Sequence, residues 1–243
     1  FGPAGVYVDA ENRIYIWEWA GKRVSRFNFT APQLVLRGYN NNFEAGGCAL
    51  NDTAYSCEYY QNRVMMFPPG NTSGIVILTG ATAVRAVRVY ADSFYVVAAN
   101  KVQRYARGST VGTLLAGTGV AGPGLDQLND PQGLFIDHLK NIYLGDYGNN
   151  RVVRFAPGST QAEIVAGTGG TGTGLNVTPG PAGLWISPKG YMYVAEHANN
   201  RVLEFTPTIN SILSGTTTPG VYKAVVDGFD GCRDSVLLTI APP

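Results

Sequence analysis

Short apolar runs alternate with turn residues along most of this chain. The clearest stretch lies between Asp130 and Gly172. Its runs are Leu134-Phe135-Ile136, Ile142-Tyr143-Leu144, Val152-Val153-Arg154-Phe155 and Glu163-Ile164-Val165-Ala166. Between them lie Asp137 to Asn141, Gly148-Asn149-Asn150, Pro157-Gly158-Ser159 and a Gly/Thr run from Gly167. Runs of β-branched and aromatic residues bounded by such clusters predict strands. Four strands in so short a segment predict one antiparallel meander. A meander with two apolar faces cannot bury both alone, so it needs copies of itself.

The copies are present. Arg-Val followed by an aromatic recurs as Arg23-Val24 with Phe27, Arg63-Val64 with Phe67, Arg151-Val152 with Phe155 and Arg201-Val202 with Phe205. Lys101-Val102 with Tyr105 is a weaker fifth. The aligned valines are 40, 38, 50 and 50 residues apart. Pro3-Ala4-Gly5, Ala45-Gly46-Gly47, Pro131-Gln132-Gly133 and Pro181-Ala182-Gly183 open four of the units. This period with four strands per unit predicts a β-propeller. The stretch from Pro131 to Gly172, PQGLFIDHLKNIYLGDYGNNRVVRFAPGSTQAEIVAGTGGTG, strongly resembles the NHL repeat, and Pro181 to Phe205 matches it well. The resemblance covers residues 1–215. It implies a propeller, usually six-bladed, and no single activity: many such propellers bind partners, and a minority are lyases or hydrolases.

The expected fold is therefore all-β, with five readable four-stranded blades in residues 1–215. Residues 216–243 are expected to form a separate hairpin, with strands Val221 to Val226 and Ser235 to Ile240. That tail lacks the Arg-Val mark. It resembles the last two strands of immunoglobulin-like repeats of surface proteins at Gly220, Tyr222, Ala224, Val226, Gly231 and Cys232. It either closes a partial sixth blade or pairs with a neighbouring subunit. The assembly reading assigns contacts to Cys232, Val221, Tyr222, Val236 and Leu238.

Composition narrows the class. Charged residues make up 14% and the net charge is +1, so no field favours nucleic acid or anionic membrane. No apolar run approaches the length of a membrane span. The chain starts at Phe1 and reads as a mature or trimmed product. Of three cysteines, Cys48 and Cys57 flank one hairpin. If Asn51 and Ala54 close its turn, the two face each other within reach of a disulfide; the alternative is two small buried thiols. Cys232 is left over, which in a secreted chain suggests a partner outside it. Sequons at Asn28, Asn51, Asn71 and Asn176 fall in expected loops, although Pro179 directly follows the last. N-linked glycans are expected at these positions.

Candidate chemistry gathers on the turns between second and third strands. There an acid precedes an aromatic or His: Glu18-Trp19, Glu58-Tyr59, Asp146-Tyr147 and Glu196-His197. One reading is a ring of carboxylates around a divalent cation. The other pairs each acid with the Arg five residues on. The third unit favours pairing: Ala98 replaces the acid, Lys101 replaces Arg, and its turn is two residues shorter. His138 and His197 are expected on opposite faces, which is too few ligands for zinc. The glycine-rich stretches at 117–124 and 167–174 precede strands and read as linkers, not phosphate loops. No cofactor is implied. The leading expectation is a non-enzymatic secreted or cell-surface glycoprotein whose propeller is a rigid interaction or assembly module, with a filament subunit as one form. It would contact a protein partner or copies of itself through the tail. The competing class is a propeller lyase or hydrolase with Asp146, Glu196 and His197 at the channel mouth.

Overall fold

A computed structural model describes residues 3–8, 14–18, 23–28, 31–37, 45–50, 53–69, 73–90, 92–187, 190–206, 220–227 and 233–240. Among these residues the regular structure is all-β apart from one 3₁₀ turn at Tyr147–Asn149. The first unit contains β1 (Pro3–Val8), β2 (Ile14–Glu18), β3 (Arg23–Asn28) and β4 (Ala31–Arg37). The second contains β5 (Ala45–Leu50), β6 (Thr53–Glu58), β7 (Arg63–Phe67) and β8 (Ile75–Thr79). The third contains β9 (Val84–Tyr90), β10 (Ser93–Ala98), β11 (Lys101–Ala106) and β12 (Gly112–Ala116). The fourth contains β13 (Pro131–Ile136), β14 (Ile142–Asp146), β15 (Arg151–Phe155) and β16 (Ala162–Ala166). The fifth contains β17 (Pro181–Ile186), β18 (Met192–Glu196) and β19 (Arg201–Phe205). The tail contains β20 (Gly220–Asp227) and β21 (Arg233–Ile240).

Each unit is an antiparallel meander in chain order. The first strands of successive units lie side by side: β1 by β5, β5 by β9, β9 by β13 and β13 by β17. This is a propeller arrangement. The expectation of five separate four-stranded blades plus a hairpin needs correction, because the described strands make four propeller sheets. The second and third units share one eight-stranded sheet through a parallel bridge between Gly46 and Ala86. Two features allow this. Gly46 has no side chain to hold the strands apart, and only 80–83 separate β8 from β9, whereas 117–130 separate β12 from β13. The fifth unit shows three strands; the expected fourth at Ile212-Leu213 lies outside the described residues.

Burial explains why the units need one another. Alternate residues of an inner strand go to different interfaces. Phe94, Val96 and Ala98 of β10 pack with Tyr55, Cys57 and Val64 of the second unit. Tyr95 and Val97 pack with Leu134, Ile142 and Leu144 of the fourth. Tyr143 and Val152 turn the other way, onto Leu184, Ile186, Met192 and Val194 of the fifth. Tyr15 and Val24 of the first unit meet Ala54, Met65 and Phe67 of the second. Gly145 marks how closely the units approach: a Cβ there would lie 2.3 Å from the Pro181 carbonyl oxygen.

The Cys48–Cys57 hairpin differs from expectation. Leu50 pairs with Thr53, so Thr53 joins the strand as its β-branched side chain favours. Cys48 then faces Tyr55, and a bulge at Gly46-Gly47 puts Ala45 opposite Cys57. The Arg88 guanidinium fixes this bulge by donating to the Gly47 carbonyl at 2.7 Å. A diagonal cysteine pair is too far apart for an unstrained bridge, and both thiols are free and buried. Burial pushes the Cys48 thiol up to about 11 and raises the Cys57 thiol well above its ordinary value.

Asn28, expected in a loop, is the last residue of β3 and pairs with Ala31. Asn51, Asn71 and Cys232 lie outside the described residues. In the tail, Tyr222 pairs with Leu238, Val221 with Thr239 and Ala224 with Val236. Among the described residues no helix is long and apolar enough to cross a membrane.

Candidate functional site

The turn between the second and third strands is the most elaborated part of each unit, and its residues act in sets. In the fourth unit Asp146 ends β14 and Arg151 starts β15, directly opposite it in the ladder. The Arg151 Nε donates to Asp146 Oδ2 at 2.8 Å, and both side chains are buried. The rest of the guanidinium reaches back to the preceding linker, donating to the carbonyls of Pro123 and Gly124 at 2.8 Å each. Asn149 supports the same contact, with its amide donating to Asp146 Oδ2 and to the Gly122 carbonyl. Asp146 Oδ1 accepts from the Asn129 N–H at 2.7 Å. Acid, Asn and Arg thus form a clasp that holds the glycine-rich linker to the blade.

The fifth unit repeats the clasp. Arg201 donates to Glu196 at 2.6 Å and to the carbonyls of Thr173 and Gly174. Asn199 donates to Glu196 and to the Gly172 carbonyl. In the second unit Arg63 pairs with Glu58, whose carboxyl burial raises despite the Arg63 charge. The pairing reading of these acids is therefore the observed one for all three units whose side chains are described. Among the described residues no three His, Cys, Asp or Glu side chains gather to hold a metal ion.

A second device escaped the sequence reading. The last Asn of the turn takes a left-handed conformation, at φ 51° for Asn62, 58° for Asn100 and 52° for Asn150. Its side-chain oxygen accepts the backbone N–H of the residue just before the next unit: Ala83 at 2.7 Å, Asp130 at 2.9 Å and Gly180 at 3.0 Å. Asn suits this role because it tolerates φ > 0 and keeps a short acceptor. The signal was in the sequence as an Asn directly before the Arg or Lys that starts the third strand, but its partner twenty to thirty residues away was not.

The third unit breaks the clasp, and a cavity of about 270 Å³ opens there. Tyr59, Arg85, Asn100, Asn129 and Asp130 are among its lining residues. Arg85 stacks over the Tyr59 ring at 4.2 Å and pairs with Asp130 at 2.7 Å. The Arg85 Nε is buried without a hydrogen-bond partner. The cavity lining therefore carries one cation, one anion, amide groups and an aromatic ring.

The residues considered for catalysis are brought only partly together. Tyr147 OH and His197 Nδ1 lie 3.2 Å apart, linking the fourth and fifth turns. Asp146 and Glu196, however, sit inside their own clasps, with Glu196 Oε1 buried and unpartnered. His138 is exposed on the β13–β14 turn, at the other end of the strands from His197. Asn176 is exposed, and the Thr178 hydroxyl of its sequon is buried and donates to the Asn150 carbonyl.

No family model matches the chain, and no curated protein matches it. Solved structures do. A Bacteroides thetaiotaomicron VPI-5482 protein of unknown function matches with a TM-score of 0.68 and 16% identity, over 84% of this chain and 59% of that one. A chain in a nidogen/laminin complex matches with a TM-score of 0.64 and 17% identity, over 84% and 75%. An auxiliary nutrient binding protein from Bacteroides ovatus ATCC 8483 matches with a TM-score of 0.62 and 16% identity, over 83% and 58%. The chain spans less than two thirds of the first and third of these. At such identities the likeness is one of fold, and the chain is a β-propeller.

Proposed function

We propose that the chain is an extracellular or cell-surface propeller of NHL type that serves as a rigid interaction and assembly module. The observation that carries this reading is the use of the mouth carboxylates. Asp146, Glu196 and Glu58 each hold an Arg of their own unit, and the Arg residues of the fourth and fifth units also hold the linkers. Charge is spent on rigidity, and a rigid face loses little entropy when it binds. The cavity beside Tyr59 and Arg85, with its balanced lining, is the seat this reading assigns to a neutral or zwitterionic group of a partner. Glycosylation at Asn28, Asn51, Asn71 and Asn176 belongs to the same extracellular reading.

The test is binding without turnover. The purified full chain is applied to an array of extracellular proteins and glycans, alongside Tyr59→Ala and Arg85→Ala. The reading expects a retained ligand that both variants lose and that mass spectrometry finds chemically unchanged. A ligand altered in mass would instead place the protein among the propeller lyases or hydrolases, with Asp146, Glu196 and His197 the first residues to substitute.

A further inference from the structure

Among the described residues, the fifth unit carries a blade interface with no blade on it. The fourth and fifth units align at a spacing of fifty residues. Phe135, Tyr143 and Val152 form the face that the fourth unit turns toward the fifth. Trp185, Tyr193 and Val202 occupy the same positions, and the ladder places Trp185 opposite Tyr193. Even the ring pair is repeated: Phe135 and Tyr143 have centroids 6.3 Å apart, Trp185 and Tyr193 5.6 Å. The environments are opposite. Val24, Val64, Val102 and Val152 are each 0% exposed, whereas Val202 is 64% exposed and Trp185 47%. Four consecutive copies of this valine are sealed by a neighbouring unit, and the fifth faces solvent.

The sealing face is also known from the fourth unit. Leu184, Ile186, Met192 and Val194 supply most of it, and they belong to the first two strands of the covering unit. Two antiparallel strands are therefore enough to close such a face. Among the described residues one two-stranded sheet, β20–β21, is hydrogen-bonded to no other strand. A lone hairpin is marginal in water. Among the described residues it neither pairs with β19 nor packs on any unit in the way neighbouring units pack on one another. A net charge of +1 does little to keep copies apart.

We infer that the outer face of the fifth unit, centred on Val202, Trp185 and Tyr193, is the seat for the β20–β21 hairpin of a second copy of this chain. This rests on the assembly part of the proposed function. Each copy would offer one face and one hairpin, a head-to-tail contact that propagates unless it closes into a ring.

The test uses sedimentation velocity of the full chain over a wide concentration range. The wild type should associate. Val202→Glu removes the seat at an exposed position, and Leu238→Glu removes the hairpin's fit. Each alone should weaken association by about tenfold or more. Mixed in equal amounts, the two variants should form dimers, since one retains the hairpin and the other the seat. A wild type that is monomeric at every concentration overturns the inference, and a lowered melting temperature of Val202→Glu would then assign the seat to the chain's own hairpin. Association that survives in Val202→Glu, with an unchanged circular dichroism spectrum, overturns it as well and points to another surface. Ligand capture through Tyr59 and Arg85 does not involve Val202, so the two readings fail separately.

Discussion

The third and fourth units descend from one pattern, and they solve the same problem differently. In the fourth, Asp146, Asn149 and Arg151 clamp the linker 117–130 against the blade. In the third, Ala98 and Lys101 stand at the corresponding places, the turn is shorter, and no acid is available to orient the cation. The linker before the third unit is correspondingly short, only 80–83. A short connection needs no clasp, because little conformational freedom remains to be lost. The space released by the missing aromatic and acid becomes the cavity under Arg85. Loss of a structural device in one repeat thus goes with an open cavity, while its neighbours keep their clasps.

Breaking the clasp should have the largest effect. Arg151→Ala leaves the buried Asp146 carboxylate without its cation and frees three linker carbonyls. Removing one partner of a buried pair costs about 3–5 kcal/mol. Lys101→Ala, at the equivalent place in the third unit, should stay within about 0.5 kcal/mol. Urea unfolding of both variants measures the contrast. Equal losses would mean that the clasp is not what distinguishes the two units.

The next effect sharpens the comparison at the interfaces. The second and third units meet over Cys48 and Cys57, whereas no thiol lies in the cluster between the third and fourth. The Cys48 thiol rises from an ordinary 9.0 to about 11, because burial disfavours the thiolate. A raised pKa in the fold means the folded chain holds its proton longer. Its stabilising contribution is therefore complete below pH 9 and is lost as pH rises through about 11. A rise of this size corresponds to roughly 3 kcal/mol. Unfolding midpoints at pH 7, 9 and 11 should fall over the last interval, and Cys48→Ala should flatten the fall. In the native state at pH 8 neither thiol should react with iodoacetamide, and both should react in urea. Peptide mapping that found the two joined would overturn this account.

What could be read from the sequence divides along physical lines. The valines from Val24 to Val202 and the strands around them were legible because burial on two faces imposes a strong local pattern. The acid–Arg pairs were legible because Ala98 and Lys101 changed together. The Cys48–Cys57 register was not, since choosing Leu50–Thr53 over Asn51–Ala54 as the closing pair shifts every cross-strand partner. Nor was the joining of the second and third units, which depends on a single backbone approach at Gly46. The exposure of Val202 was invisible for a different reason. A residue's pattern records the face it was built for, and only the neighbour decides whether that face is covered.

The smallest effect tests the link between blades rather than the clasp within one. Asn150 must satisfy two conditions: a left-handed backbone, and a side-chain oxygen for the Gly180 N–H. Asn150→Gly meets the first and fails the second, so it isolates one hydrogen bond, worth about 1 kcal/mol. Asn150→Ala fails both and adds the cost of φ > 0 for a residue with a Cβ, about a further 1 kcal/mol. The order expected from thermal unfolding is wild type, then Gly, then Ala. The same pair of substitutions at Asn100, whose oxygen accepts from the Asp130 N–H, should reproduce the order in the unit without a full clasp. If the latch works independently of the clasp, the losses at Asn100 and Asn150 will be equal. If the clasp shields the latch from solvent competition, Asn150 will lose more. A larger loss from Gly than from Ala at either site would show that backbone freedom, not the hydrogen bond, governs the junction.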